Sequence, residues 1–214
     1  RLGGLGGRDM IRADWFEPVP DIRRVGRISW YGRWVGQAHR GTGPAREVDL
    51  LKGCNMSFRR DAIRGHWFDP RLKGGGAQWF NDAAFSLAVK RAGWRVVYDP
   101  AVRVDHYLGR RPEGDGRESE TPDDVYAVVY NETLTLLEYL PPVRRALLLG
   151  FGISVGSRRA PGLLQWVRSA VGGGRRDLPY HGAALRARLD AWREYRRHPH
   201  DLARAPDGQE AVSL

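Results

Sequence analysis

Three short stretches decide how this chain reads: Leu51-Lys52-Gly53-Cys54-Asn55-Met56-Ser57-Phe58-Arg59-Arg60, Trp79-Phe80-Asn81-Asp82-Ala83-Ala84-Phe85, and Val97-Tyr98-Asp99-Pro100-Ala101-Val102-Arg103-Val104-Asp105-His106. The first is a glycine turn that opens onto a strand or turn. In the second, Asn81 or Asp82 can cap a helix. Phe85, Ala88, Val89 and Ala92 then recur at helical spacing, and Gly93 ends the helix. Residues 94–98 form a β-rich run stopped by Asp99-Pro100, and residues 101–106 a further short strand. Residues 48–51 are a strand candidate, and residues 60–64 one short helix closed by Gly65. Phe68-Asp69-Pro70 is a turn, followed by a flexible loop at Lys73-Gly74-Gly75-Gly76. That loop is no phosphate cradle, because no helix-opening Lys-Ser/Thr follows it.

In this order and spacing, the three stretches resemble the C-terminal half of a GT-A-fold glycosyltransferase of the large inverting family 2. That family carries a glycine loop G-x-N-x-x-[FY]-R-[RK], here Gly53, Asn55, Phe58, Arg59 and Arg60. It carries an acidic pair opening a helix that closes on glycine and an aromatic, here Asn81-Asp82 and Gly93-Trp94. It also carries a strand pair ending in His, here His106. The likeness covers residues 48–106 and extends loosely to the helices after residue 125. It implies an α/β, GT-A-like C-terminal half followed by amphipathic helices. On that reading residues 1–108 are the transferase part, 109–124 a polar loop, 125–200 a helical extension and 201–214 a polar tail.

The resemblance implies transfer of a sugar from a nucleotide-diphosphate sugar to an acceptor hydroxyl with inversion. The acceptor would be a saccharide or a lipid-linked precursor in polysaccharide, glycolipid or cell-envelope synthesis. Asp82 is then the catalytic base, and its helix N-terminus is expected to favour the ionised carboxylate. Gly53 lets the backbone approach donor or acceptor, with Asn55 beside it, and Trp79 and Asn81 complete that loop region. His106 joins a divalent metal, Mn²⁺ or Mg²⁺, or the diphosphate itself. Read as residues alone, Asp82 is equally a helix cap, His106 a satisfied strand-end histidine, Gly53 a bulge and Trp79 a core or rim aromatic.

Two departures stand out. Asn81 occupies the position where the family has Glu. No Asp-x-Asp, the family's metal motif in its nucleotide-binding half, occurs before Gly53. The chain is therefore expected to be an acceptor side without its donor side, and to bind nucleotide sugars poorly by itself. It opens with Arg1 and not Met, so it is expected to begin inside a longer protein.

Composition sets the outer bounds. Of 214 residues, 42% are hydrophobic, with 8 Trp, 8 Tyr and 6 Phe, which supports a core and excludes a wholly disordered chain. One cysteine excludes an intramolecular disulfide and a cysteine zinc cluster. Thirty-five basic against twenty-five acidic side chains give +10, which calls for anionic partners. Nucleic acid is not expected, because basic and aromatic residues are not interleaved in a recognisable binding motif. No stretch is apolar for the roughly 20 residues a span needs, and the start has no apolar run of a signal peptide.

Residues 1–47 are rich in Gly, Arg and Trp. Gly3, Gly4, Gly6 and Gly7 read as a loop or strand exit with close backbone approach, and residues 27–36 as a short strand or helix. Residues 125–140 form a helix ended by Pro141-Pro142. An apolar run at 144–156 is flanked, with the following helix, by Arg158, Arg159 and Arg168, and residues 183–197 form an Arg-rich helix. These segments read either as solvated faces or as a peripheral contact with an anionic membrane, at the cytoplasmic, inner face of the plasma membrane. The competing function classes are a non-catalytic basic binding module and an inactive remnant.

Overall fold

The computed structural model describes residues 1–13, 16–17, 19–74, 78–107, 121–157, 160–172 and 177–198. Its strands are β1 (Leu2–Arg12), β2 (Arg27–Ile28), β3 (Trp34–Val35), β4 (Arg46–Glu47), β5 (Met56–Phe58) and β6 (Arg95–Tyr107). Its helices are α1 (Arg60–Ile63), α2 (Asn81–Arg91), α3 (Pro122–Tyr139), α4 (Pro142–Ser154), α5 (Leu163–Val171) and α6 (Leu178–Arg197). The expected α/β class holds. Four strands form a mixed sheet in the order β4-β6-β1-β5, with β1 and β6 parallel and both outer pairings antiparallel. A separate hairpin pairs β2 with β3, which resolves the ambiguity at residues 27–36.

The glycine-rich start is an inner strand and not a loop. Its glycines are needed because neighbours press on the backbone: a Cβ on Gly7 would lie 1.9 Å from the Val102 carbonyl oxygen. The expected break at Asp99-Pro100 does not occur, and residues 95–107 are one strand. The β1–β6 register jumps from Gly7↔Asp99 to Arg8↔Arg103. Pro100 therefore sits in a bulge, where no N–H is owed to the ladder. Residues 48–51 are not a strand either. The ladder with β6 covers Arg46–Glu47, the Val48 N–H adds one bond to the Val96 carbonyl, and Val48, Leu50 and Leu51 are buried in the connection that follows.

Helix α2 also departs from expectation. Its N-cap is Phe80, held in the left-handed region at φ 74°, while Asn81 and Asp82 already lie inside the first turn. Phe80 tolerates that conformation because its ring is locked in the core, edge-on to Trp34 with centroids 5.0 Å apart. Ala92 is exposed, and the buried face is Ala83, Ala84, Phe85, Ser86 and Val89. These residues enter three different clusters. Phe85 and Val89 pack with Val48, Leu51 and Val96 against the sheet. Ala84 joins Leu72 and the α3–α6 layer, and Ala83 joins Leu50, Phe80 and Leu136. The first turn of α2 is thus fixed from three sides.

Helix α3 starts at Pro122, ahead of the expected 125, because residues read as the end of the polar loop cap it. Thr121 and Asp124 form a capping box with Pro122 at the first helical position of α3. Ala184, Ala187 and Ala191 of α6 let that helix settle closely on Val125, Val129 and Leu134. Helix α6 starts at Leu178, ahead of the expected 183. Arg71 donates to both oxygens of buried Asp69 and, at 3.0 Å, to buried Glu138, tying the turn after Phe68 to α3. Gly75, Gly76, most of the 109–124 loop, Arg158, Arg159 and the 201–214 tail lie outside the described residues.

Candidate functional site

Because β1 and β6 run parallel, their far ends reach the same edge of the sheet. There Asp9 is fully buried, and the half-buried His106 places Nδ1 3.3 Å from Asp9 Oδ2. The Lys52 ammonium, arriving from the loop before β5, pairs with that same oxygen. Asp9 Oδ1 is buried without a hydrogen-bond partner among the described residues. Asp9, exposed Cys54 and His106 bring ligand atoms within 4.8 Å of one another.

The glycine loop is stitched to this edge. Gly53–Asn55 form a single 3-10 turn. Asn55 Nδ2 donates to the carbonyls of Arg8 (3.3 Å) and Val102 (3.2 Å), spanning the two strands at the bulge. The Gly53 N–H donates to Asp82 Oδ2 at 2.9 Å, and Ala83 N–H to Asp82 Oδ1 at 2.8 Å. Ser86 completes the link: its hydroxyl accepts from Leu51 N–H and donates to the Asp82 carbonyl. Gly53 is not at a bulge. A Cβ there would meet only Asp82, at an ordinary 3.7 Å, so the missing side chain leaves open space beside the carboxylate.

Electrostatics differ from the simple helix-end expectation. Burial pushes the Asp82 carboxyl above the usual aspartate range, and the N–H groups of Gly53 and Ala83, with the Lys52 charge, only partly oppose it. Burial and the Asp9 charge likewise push the Cys54 thiol up. Asp82 also acts on Cys54, so the carboxylate and the Asp9–Lys52–His106 group share one electrostatic neighbourhood.

The structure therefore brings Gly53, Asn55, Asp82 and His106 together. Asn81 starts the helix with its N–H on the Gln78 carbonyl. Trp79 has an exposed ring, and its carbonyl is held at 2.8 Å by Asn131 of α3. Asp9, Lys52 and Cys54 are site residues that the sequence reading did not single out. Their only local signals are an aspartate shortly after a glycine run and two residues flanking Gly53.

The donor set fits a hard divalent ion only in part. Mg²⁺ and Mn²⁺ favour oxygen and imidazole ligands, which Asp9 and His106 supply, whereas a protonated thiol does not suit them. A two-ligand protein site would leave the rest of the coordination shell to water or phosphate oxygens. Lys52 independently offers a cation to an anionic ligand. No protein-family model matches this chain, and neither does any curated protein.

Proposed function

We propose that this chain forms the acceptor side of a GT-A-type inverting glycosyltransferase acting on a nucleotide-diphosphate sugar. The observation that carries the reading is the hydrogen bond between Asp82 and the Gly53 N–H beside the Asp9–Lys52–His106 group. It puts a carboxylate on a rigid helix start next to cationic and imidazole groups suited to a diphosphate. In the reaction, Asp82 accepts the proton of the acceptor hydroxyl. That oxygen bonds to the anomeric carbon as the bond to the diphosphate breaks, and the nucleoside diphosphate leaves from the opposite face.

Burial raises the Asp82 carboxyl above the usual aspartate range, which strengthens it as a base. Lys52 steadies the leaving charge, and Asp9 orients both Lys52 and His106. Asp9 and His106 would hold Mn²⁺, which supplies charge neutralisation for the diphosphate when bound. The acceptor is a saccharide or lipid-linked precursor at the cytoplasmic face of the plasma membrane. Among the described residues no helix is long and apolar enough to cross a membrane.

The test is sugar transfer by the full-length gene product from UDP-, GDP- and dTDP-sugars to extracted lipid-linked acceptors, with and without Mn²⁺. Transfer from one donor class, with lower turnover and a flattened Mn²⁺ response in His106→Ala, is the expected result. Absence of transfer from every donor, or a His106→Ala variant with unchanged turnover and metal response, would overturn the assignment.

A further inference from the structure

Helices α4 and α5 leave an apolar face uncovered. On α4, Val143, Leu147, Phe151 and the C-cap residue Val155 recur every four residues, each exposed by more than a third. On α5, Leu163, Val167 and Val171 repeat the spacing, and the helix has no buried residue. The turn of the β2–β3 hairpin extends the face. Tyr31 meets Phe151 edge-on at 5.6 Å, and exposed Trp30 lies beside it, its carbonyl held by Arg144.

The surface is fixed in place. Gly162 N–H bonds the Val155 carbonyl at 3.0 Å across the turn between the helices. Buried Arg188 of α6 donates to the carbonyls of Ala160 and Pro161 in the same turn. An apolar surface of this extent on a rigid frame marks an interaction site.

Charge selects the occupant. Residues 142–172 contain five arginines and no Asp or Glu. A second copy would bring an equally acid-free, arginine-bearing segment, on a chain of net +10, against the first. An apolar face with arginine and aromatic residues and no acid suits the boundary between anionic headgroups and acyl chains. We infer that α4, α5 and the β2–β3 turn dock in the plane of an anionic lipid bilayer. The inference stands whether or not the sugar-transfer reading holds.

The experiment is co-sedimentation of the full chain with phosphatidylcholine vesicles, with and without phosphatidylglycerol. Recovery with anionic vesicles should exceed that with neutral ones by about tenfold or more, and it should fall as salt rises. The double variant Val167→Glu, Val171→Glu should lose binding while keeping the parent circular dichroism, since both positions are exposed. Equal recovery with both vesicles, no binding at low salt, or full binding by the double variant would overturn the proposal. So would a concentration-dependent dimer that the same two substitutions abolish, which would assign the face to self-association.

Discussion

Asp82→Asn separates a catalytic carboxylate from a purely structural one. The carboxylate accepts two backbone N–H groups, from Gly53 at 2.9 Å and Ala83 at 2.8 Å. An asparagine side chain offers one oxygen and so keeps one of the two. The lost bond costs about 1 kcal/mol, and removing a half-buried charge offsets part of it. For a chain of this size 1 kcal/mol moves Tm by about 2–4 °C, so the Asn variant should melt within about 4 °C of the parent. Losing a general base lowers transfer by about 10²- to 10⁴-fold. Asp82→Ala should match the Asn variant in rate but lose both bonds, lowering Tm by about 4–8 °C. Initial-rate assays with the full-length gene product, paired with calorimetry, read both quantities. An Asn variant that transfers within about threefold of the parent would refute the catalytic assignment.

Three further outcomes follow from the same geometry. On the proposed mechanism transfer requires ionised Asp82, and burial raises its pKa, so kcat/KM should fall as pH drops through a value above the ordinary aspartate range. A profile with its acid limb at or below that range contradicts the burial. Gly7→Ala would push a Cβ to within 1.9 Å of a carbonyl oxygen. It should cost about 1–3 kcal/mol in urea unfolding, and an unchanged midpoint would contradict the close strand packing. Arg71→Ala strips a shared guanidinium from buried Asp69 and Glu138. It should destabilise by about 3–5 kcal/mol, with Arg71→Lys recovering only part because an ammonium cannot fork to Asp69 while reaching Glu138.

Elements set by local chemistry were legible in the sequence. Gly93 closes α2 and Gly65 closes α1 through turns that act within a few residues, and leucine spacing marks α3, although its Thr121-Pro122 start reads as part of the polar loop. The contact between Gly53 and Asp82 accords with two of the three quoted stretches. What was not legible depends on partners distant in sequence. Asp9 looks like an ordinary strand-end acid until β6 brings His106 beside it. Pro100 reads as a strand stop because the bulge that accommodates it exists only against β1. Phe80 gives no sequence sign of a positive φ, since core packing around its ring and not its intrinsic preference selects that conformation.

The parallel pairing of β1 with β6 also governs when the candidate site can exist. Asp9 and His106 are 97 residues apart, and closing a loop of that length costs about 4 kcal/mol of chain entropy before any contact repays it. The glycine loop and α2 meet over a shorter span, 29 residues between Gly53 and Asp82. During synthesis the carboxylate and its loop can therefore assemble before the Asp9–His106 pair, which must wait until β6 has left the ribosome. In the finished protein β1 is held on both sides, by β6 and by β5, so the pair opens only when an inner strand separates, and hydrogen exchange along β1 would report how often the site is intact.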